Sequence, residues 1–107
     1  MDTQSVVIKL VGDFDAYNAD ELRRLLEPAQ DGADVVIDFT GTRYVDSSCL
    51  TELATIRRLR VDRGLSPCRL VVPHKNMRKI FQIVGFDHVF PLFQTLEEAT
   101  SPTVFSG

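Results

Sequence analysis

Hydrophobic and polar positions along this chain alternate between two rhythms, short apolar runs and longer stretches with helical spacing. Ser5-Val6-Val7-Ile8-Lys9-Leu10-Val11 predicts a strand that ends at Gly12. Asp13 to Tyr17 then leads into a helix, with Asn18 as the expected cap and Glu21 as its reciprocal partner. Leu22, Leu25 and Leu26 give that helix its apolar spacing, while Pro28 and Asp31-Gly32 mark its end and a turn. Val35 to Phe39 is a nearly continuous apolar run, as expected of a strand covered on both faces. A second helix is predicted from Ser47 to about Asp62, with Gly64 placed to stop it in a left-handed conformation. Leu50, Leu53, Ala54 and Val61 fall on one of its faces, Ile56 and Leu59 on another. Such a helix is either deeply buried or offers a partner surface, and we take burial as the expectation.

Arg69-Leu70-Val71-Val72 reads as a further strand, stopped by Pro73. The third helix is predicted over Lys75 to Val84, with Met77, Ile80, Phe81 and Val84 as core positions and Gly85 at its end. Val89 to Phe93 is short and contains Pro91, which fits an edge strand. Thr95 and Glu98 form a second capping box that opens a short helix through about Ala99. Ser101 to Gly107 has no periodicity and is expected to be a frayed tail. This alternation predicts an α/β fold: one domain, core about 5–99, with a central mixed, mainly parallel sheet of about four or five strands and about four helices. The extra strand would come from Gly12 to Asp15. In such sheets the functional edge lies beyond the carboxyl ends of the strands.

Composition changes this picture little. With 44% hydrophobic and 25% charged residues in 107, the chain reads as an ordinary globular domain. A formal net charge of −3 offers no broad field for nucleic acid. Its cations do gather locally, as Arg57, Arg58 and Arg60 and as Lys75, Arg78 and Lys79, and both groups are expected to be solvated helix faces. No apolar run approaches the ~20 residues of a membrane span. Met1-Asp2-Thr3-Gln4 lacks the features of a signal peptide. Cys49 and Cys68 show no metal or C-x-x-C spacing, which predicts reduced thiols and a cytoplasmic protein. The expected state is a monomer with no cofactor and no metal.

The candidate chemistry sits at Tyr44-Val45-Asp46-Ser47-Ser48-Cys49-Leu50, where a buried strand gives way to a helix start. Unpaired N–H groups and the positive end of the helix dipole favour negative charge there. A phosphate on Ser47 would add about −1.5 to −2 charge beside Asp46, favoured by the helix and opposed by the carboxylate. The plainer reading is that Asp46, Ser47 and Ser48 merely cap the helix. At Cys49 the same dipole would lower a thiol's pKa, although a small hydrophobic filler is the better reading. Asp38 reads as a structural carboxylate near a strand end. Ser47, His74 and a carboxylate suggest a serine hydrolase, but the chain lacks a Gly-x-Ser-x-Gly elbow and an oxyanion loop.

Three stretches together resemble the STAS domain, the family of anti-sigma-factor antagonists and of the cytoplasmic domains of sulfate transporters. They are Gly12-Asp13-Phe14-Asp15, Val36-Ile37-Asp38-Phe39-Thr40-Gly41 and Val45-Asp46-Ser47-Ser48-Cys49-Leu50, in the family's order and spacing over about residues 5–99. The resemblance implies a non-catalytic regulator whose Ser47 is phosphorylated by an anti-sigma factor serine kinase, the kinase carrying the ATP. It implies that the unphosphorylated form binds that kinase and the phosphorylated form lets go, with no nucleic acid and no membrane insertion. Asp15, Asp46, Ser47, Ser48, Cys49 and Thr51 would form the partner surface, Asp15 as part of a negative rim or simply as a turn residue. Cys49 stands where the family has glycine, and a side chain there would narrow the choice of partner. The alternative within the family is an adaptor subunit of a lipid ABC transporter, using Ser47 without phosphorylation.

Overall fold

The β-branched residues of the two longer strands set the frame. The computed structural model describes residues 6–100 of the 107. Ser5 and the tail from Ser101 onward therefore lie outside the described residues. Strand β1 is Val6–Val11, β2 Val35–Gly41, β3 Arg69–Val71 and β4 Leu92–Phe93. They pair in the order β1-β2-β3-β4, and every pairing is parallel. Helix α1 is Ala19–Leu25, α2 Ser47–Asp62, α3 Lys75–Ile83 and α4 Leu96–Thr100. The expected mixed sheet is thus a four-stranded parallel one among the described residues. Gly12 to Asp15 adds no strand: Gly12 turns the chain at φ 94°, and a lone parallel bridge joins Phe14 to Val45.

Strands taken in sequence and joined by right-handed crossovers carry their helices on one face. The alternation of side chains confirms it. Ile8, Leu10, Val35, Ile37, Phe39, Leu70 and Val72 share one core with Leu22, Leu53, Ile56, Met77 and Phe81 from α1, α2 and α3. Val36 and Val71 point the other way, against Ala99, Phe93 and Leu96. So β2 is covered on both faces from Val35 to Phe39, as its apolar run implied. On the second face α4 is tied down by Arg69, whose Nη1 donates to Ala99 O at 2.6 Å. Edge-to-face contacts run from Phe39 to Phe81 and from Phe86 to Phe90, with ring centroids 5.6 and 5.3 Å apart.

Three sequence expectations need correction. The first helix is not opened by an Asn18–Glu21 box, because Asn18 makes no side-chain capping bond to α1. Its side chain instead accepts from Asp15 N at 2.8 Å and closes a box around a short 3₁₀ turn, Ala16–Asn18. In α2 the inward stripe is Cys49, Leu53, Ile56 and Arg60, while Ala54 and Val61 are exposed and Leu50 and Leu59 half-buried. An arginine occupies the stripe's last position, so the apolar count pointed to the wrong flank. In α3 only Met77 and Phe81 are buried, and Ile80 and Val84 are exposed. Only that narrow stripe meets the core, with Phe81 set edge-on to Phe39 of β2. The remaining signals correspond: Gly64 turns at φ 70° beyond α2, and Thr95 Oγ1 accepts from Glu98 N at 3.1 Å where α4 starts.

Candidate functional site

Two loops at the carboxyl edge of the sheet are stitched together by backbone bonds. Phe14 N donates to Tyr44 O at 3.1 Å, and Asp46 N donates to Phe14 O at 3.2 Å. Phe14 and Val45 are buried beneath this seam. Apolar anchors thus place the polar residues that follow each of them, Asp15 and Asp46, side by side on the surface. Asp15 is held by its own bonds: its Oδ1 accepts from Tyr17 N at 2.9 Å. Asn18 Nδ2 donates to Asp13 O at 3.0 Å and closes the loop. The turn-residue and rim readings of Asp15 therefore describe one arrangement.

Asp46 is the N-cap of α2, with extended backbone and an Oδ1 that accepts from Ser48 N at 2.9 Å. Its carbonyl receives Cys49 N and Leu50 N at 3.0 and 3.2 Å, which starts the helix ladder. With the cap filled by Asp46, Ser47 becomes the first helical residue and is exposed. The plainer reading holds for Asp46, then, but leaves the Ser47 hydroxyl outside the capping bonds. Ser48 is half-buried, and exposed Thr51 turns its hydroxyl back to Ser47 O at 3.0 Å.

Cys49 is the small filler that the better reading expected, but it does not belong to the partner surface. Its side chain is 1% exposed and belongs to the core, so it offers a partner no side-chain surface. Burial pushes its thiol pKa up, and the charges of Asp46 and Asp15 push the same way, against a backbone hydrogen bond to Asp46. The lowering expected from the helix dipole does not prevail. Position 49 faces inward on the first turn, and a modest apolar side chain fills space there.

His74 follows β3, near the same edge as Ser47, but its Nε2 lies 3.0 Å from Thr40 O. The ring joins the end of β2 to the start of α3 and is not turned to the serine. Asp38 is buried and accepts from Thr40 N and Oγ1 at 2.9 and 2.6 Å, a local structural role. Among the described residues no group of three or more His, Cys, Asp and Glu could hold a metal ion. Nor is any described helix long and apolar enough to cross a membrane. Sequence reasoning passed over two aromatics on the rim: Tyr17, 97% exposed beside Asp15, and Tyr44, exposed two residues before Asp46. A tyrosine among loop polar residues is the signal that could have found them, since tyrosine is enriched at the energetic centres of protein interfaces.

The arrangement can therefore present a free hydroxyl at a helix start, between two fixed carboxylates and two exposed rings. Solved structures share its frame. The chain resembles the anti-sigma factor antagonist SpoIIAA in its unphosphorylated form, at 22% identity over 92% of this chain and 86% of that one, TM-score 0.67. It is 25% identical to the Bacillus cell fate determinant SpoIIAA in the phosphorylated form, covering 92% and 89%, TM-score 0.67. A sulfate transporter family protein from Wolinella succinogenes gives a TM-score of 0.74 at 15% identity, covering 89% and 80%. The family model of the STAS domain matches residues 2–99, and the chain belongs to that family.

Proposed function

We propose that this protein is an anti-sigma factor antagonist, which binds a kinase-type anti-sigma factor and is released from it by phosphorylation on Ser47. The observation that carries this reading is the exposed Ser47 at the first position of a sixteen-residue helix, flanked by Asp46 and Asp15. Its support from outside the chain is the likeness to SpoIIAA, known in a phosphorylated and an unphosphorylated form. In this reading Asp46, the neighbouring carboxylate, would accept the hydroxyl proton as the bond to phosphorus forms, and the kinase would bring the ATP.

Release follows from charge. The helix start favours an anion by about 0.3–1 kcal/mol. Like charges a few ångströms apart cost on the order of 1 to 4 kcal/mol, depending on how far solvent is excluded. In the free protein water screens the phosphate from Asp15 and Asp46. Under a partner that screening is lost, and the repulsion weighs against the complex. Tyr17 and Tyr44 frame the rim as apolar anchors for the partner. Cys49 lies below it, so the family's usual glycine is replaced without adding bulk to the surface.

The test is incubation with a cognate anti-sigma kinase and ATP, followed by phosphopeptide mapping of residues 43 to 57. Phosphate on Ser47, absent from Ser47→Ala, with Ser47→Asp losing the kinase, is the expected result. A Ser47→Asp protein that binds the kinase as the parent does overturns the switch. Stable co-purification with a transporter ATPase would point instead to the adaptor reading, for which the Wolinella likeness supports the fold alone.

A further inference from the structure

Helix α3 carries a second surface, apart from the Ser47 rim and opposite to it in sign. From Arg63 to Phe86 the chain holds Arg63, Arg69, Lys75, Arg78 and Lys79 without one carboxylate, although its net charge is −3. Met77 and Phe81 take the inward side of α3, which turns Lys75, Lys79 and Ile83, four residues apart, onto its outer ridge. Ile83 is 76% exposed. Two hollows adjoin at the start of the helix and share Lys75 and Asn76. One, about 220 Å³, is lined also by Arg78, Lys79 and Gln82; the other, about 240 Å³, by Arg43 and His74. The His74 contact to Thr40 O holds the two loops together there.

Arg69 is paired with Asp34, but the cations around the two hollows are not paired within the described residues. Among the described residues, Arg43, Lys75, Arg78 and Lys79 form no ion pair. The Arg78 guanidinium has one long contact, Nη2 to Pro73 O at 3.5 Å, and its Nε is buried without a partner. A planar guanidinium left in this condition is matched by a carboxylate, which it binds through two parallel bonds. We propose that this flank is a docking surface for a carboxylate-rich polypeptide segment of a partner protein. Acidic side chains entering the two hollows meet Arg43, Lys75, Arg78 and Lys79, and Ile83 at the end of the ridge supplies an apolar contact. A flat anionic membrane would touch Lys75, Lys79 and Ile83 but would not reach half-buried Arg78 in its hollow, and the concave shape therefore favours a polypeptide.

The experiment is a titration of the whole protein with a short poly-glutamate peptide, followed residue by residue through backbone amide NMR shifts. Shifts confined to Arg43 and to residues 74 to 83 are expected, weakening several-fold as salt rises to about 0.15 M. Lys75→Glu/Lys79→Glu should weaken binding at least tenfold; these side chains are exposed, so the fold should not suffer. Arg57→Glu/Arg58→Glu, a charge change of equal size on α2, should leave it unaltered. Shifts spread equally over Arg23, Arg24, Arg57 and Arg58, or none near α3 at low salt, overturn the proposal. So does binding by phosphatidylserine vesicles at these residues where poly-glutamate fails, since the occupant would then be a membrane.

Discussion

The two ends of α2 are built on opposite plans. At its start Asp46 caps the backbone and Ser47 stands exposed, with no side chain laid over it. At its other end Arg60, 1% exposed, is wrapped in backbone: it donates to Ser66 O at 2.7 Å, Ala29 O at 2.9 Å, Gly32 O at 2.6 Å and Ala33 O at 3.3 Å. Among the described residues no carboxylate forms an ion pair with that guanidinium. Four carbonyl dipoles and the negative end of the helix balance its charge instead, while its N–H groups satisfy carbonyls of two turns. One helix is thus locked at its last turn and left open at its first. The lesson is that the site's precision comes from the far end: a helix pinned by Arg60 holds Ser47 in place without any group having to cover it.

If that contrast is right, the largest stability effect lies at Arg60. Replacing it with methionine keeps bulk but strips up to four carbonyls of their donor, at about 1–3 kcal/mol for each left unsatisfied. Water will relieve some of them, and a loss of about 3 kcal/mol or more in urea unfolding is expected. Arg63→Met is the control, because that exposed side chain makes one bond, to Gln30 O at 3.0 Å, and should cost less than about 0.5 kcal/mol. Equal effects from the two variants would break the comparison. Near the same end, burial pushes the Cys68 thiol up to about 11, against the pull of Arg60. The folded state then holds a proton that the unfolded chain gives up near its ordinary value of 9.0. Stability should be fully present below pH 9 and fall by on the order of 2 kcal/mol as pH rises to about 11. Unfolding midpoints of the parent and Cys68→Ala across this range should converge if the buried thiol is the cause.

How much of this could be read from the sequence depended on which residues obeyed periodicity. The β1 and β2 runs, the helix from Ser47 to Asp62 and the turn at Gly64 follow from local rules, and the structure repeats them. The parallel alternation of strands and helices and the place of Asp46 and Ser47 at a helix start were legible too, because a strand followed by a capped helix leaves few choices. Arg60 was not. A cation at an inward position reads as surface until the carbonyls around it are known, and those come from residues 29 to 33 and 66. Cys49 was legible as a small filler, but its absence from the partner surface was not to be had from motif position alone, which does not say which way a residue faces. Exposed Ile80 and Val84 were read as core because spacing alone cannot tell how much of a helix its neighbours cover.

Smaller effects sharpen the open end. Asp46→Ala removes the bond to Ser48 N and should cost about 1 kcal/mol, the usual worth of a cap. On the proposed switch the same carboxylate takes the hydroxyl proton, so the effect of Asp46→Ala on phosphorylation should exceed what that loss explains; Asp46→Asn, which keeps a capping oxygen but no charge, separates the roles. Ser47→Ala should move stability least, within about 0.5 kcal/mol, because the hydroxyl takes no part in the cap. Yet it should abolish phosphate incorporation while leaving kinase binding intact. Ser47→Asp should likewise fold normally, its single added charge helped by the helix start and opposed by Asp46. Loss of the kinase by Ser47→Asp, with a melting curve laid over the parent's, means that charge alone, and not damage to the fold, dismisses the partner. Should Ser47→Ala prove as destabilising as Asp46→Ala, the hydroxyl would be structural, and the open end of α2 would be no more a switch than the closed one.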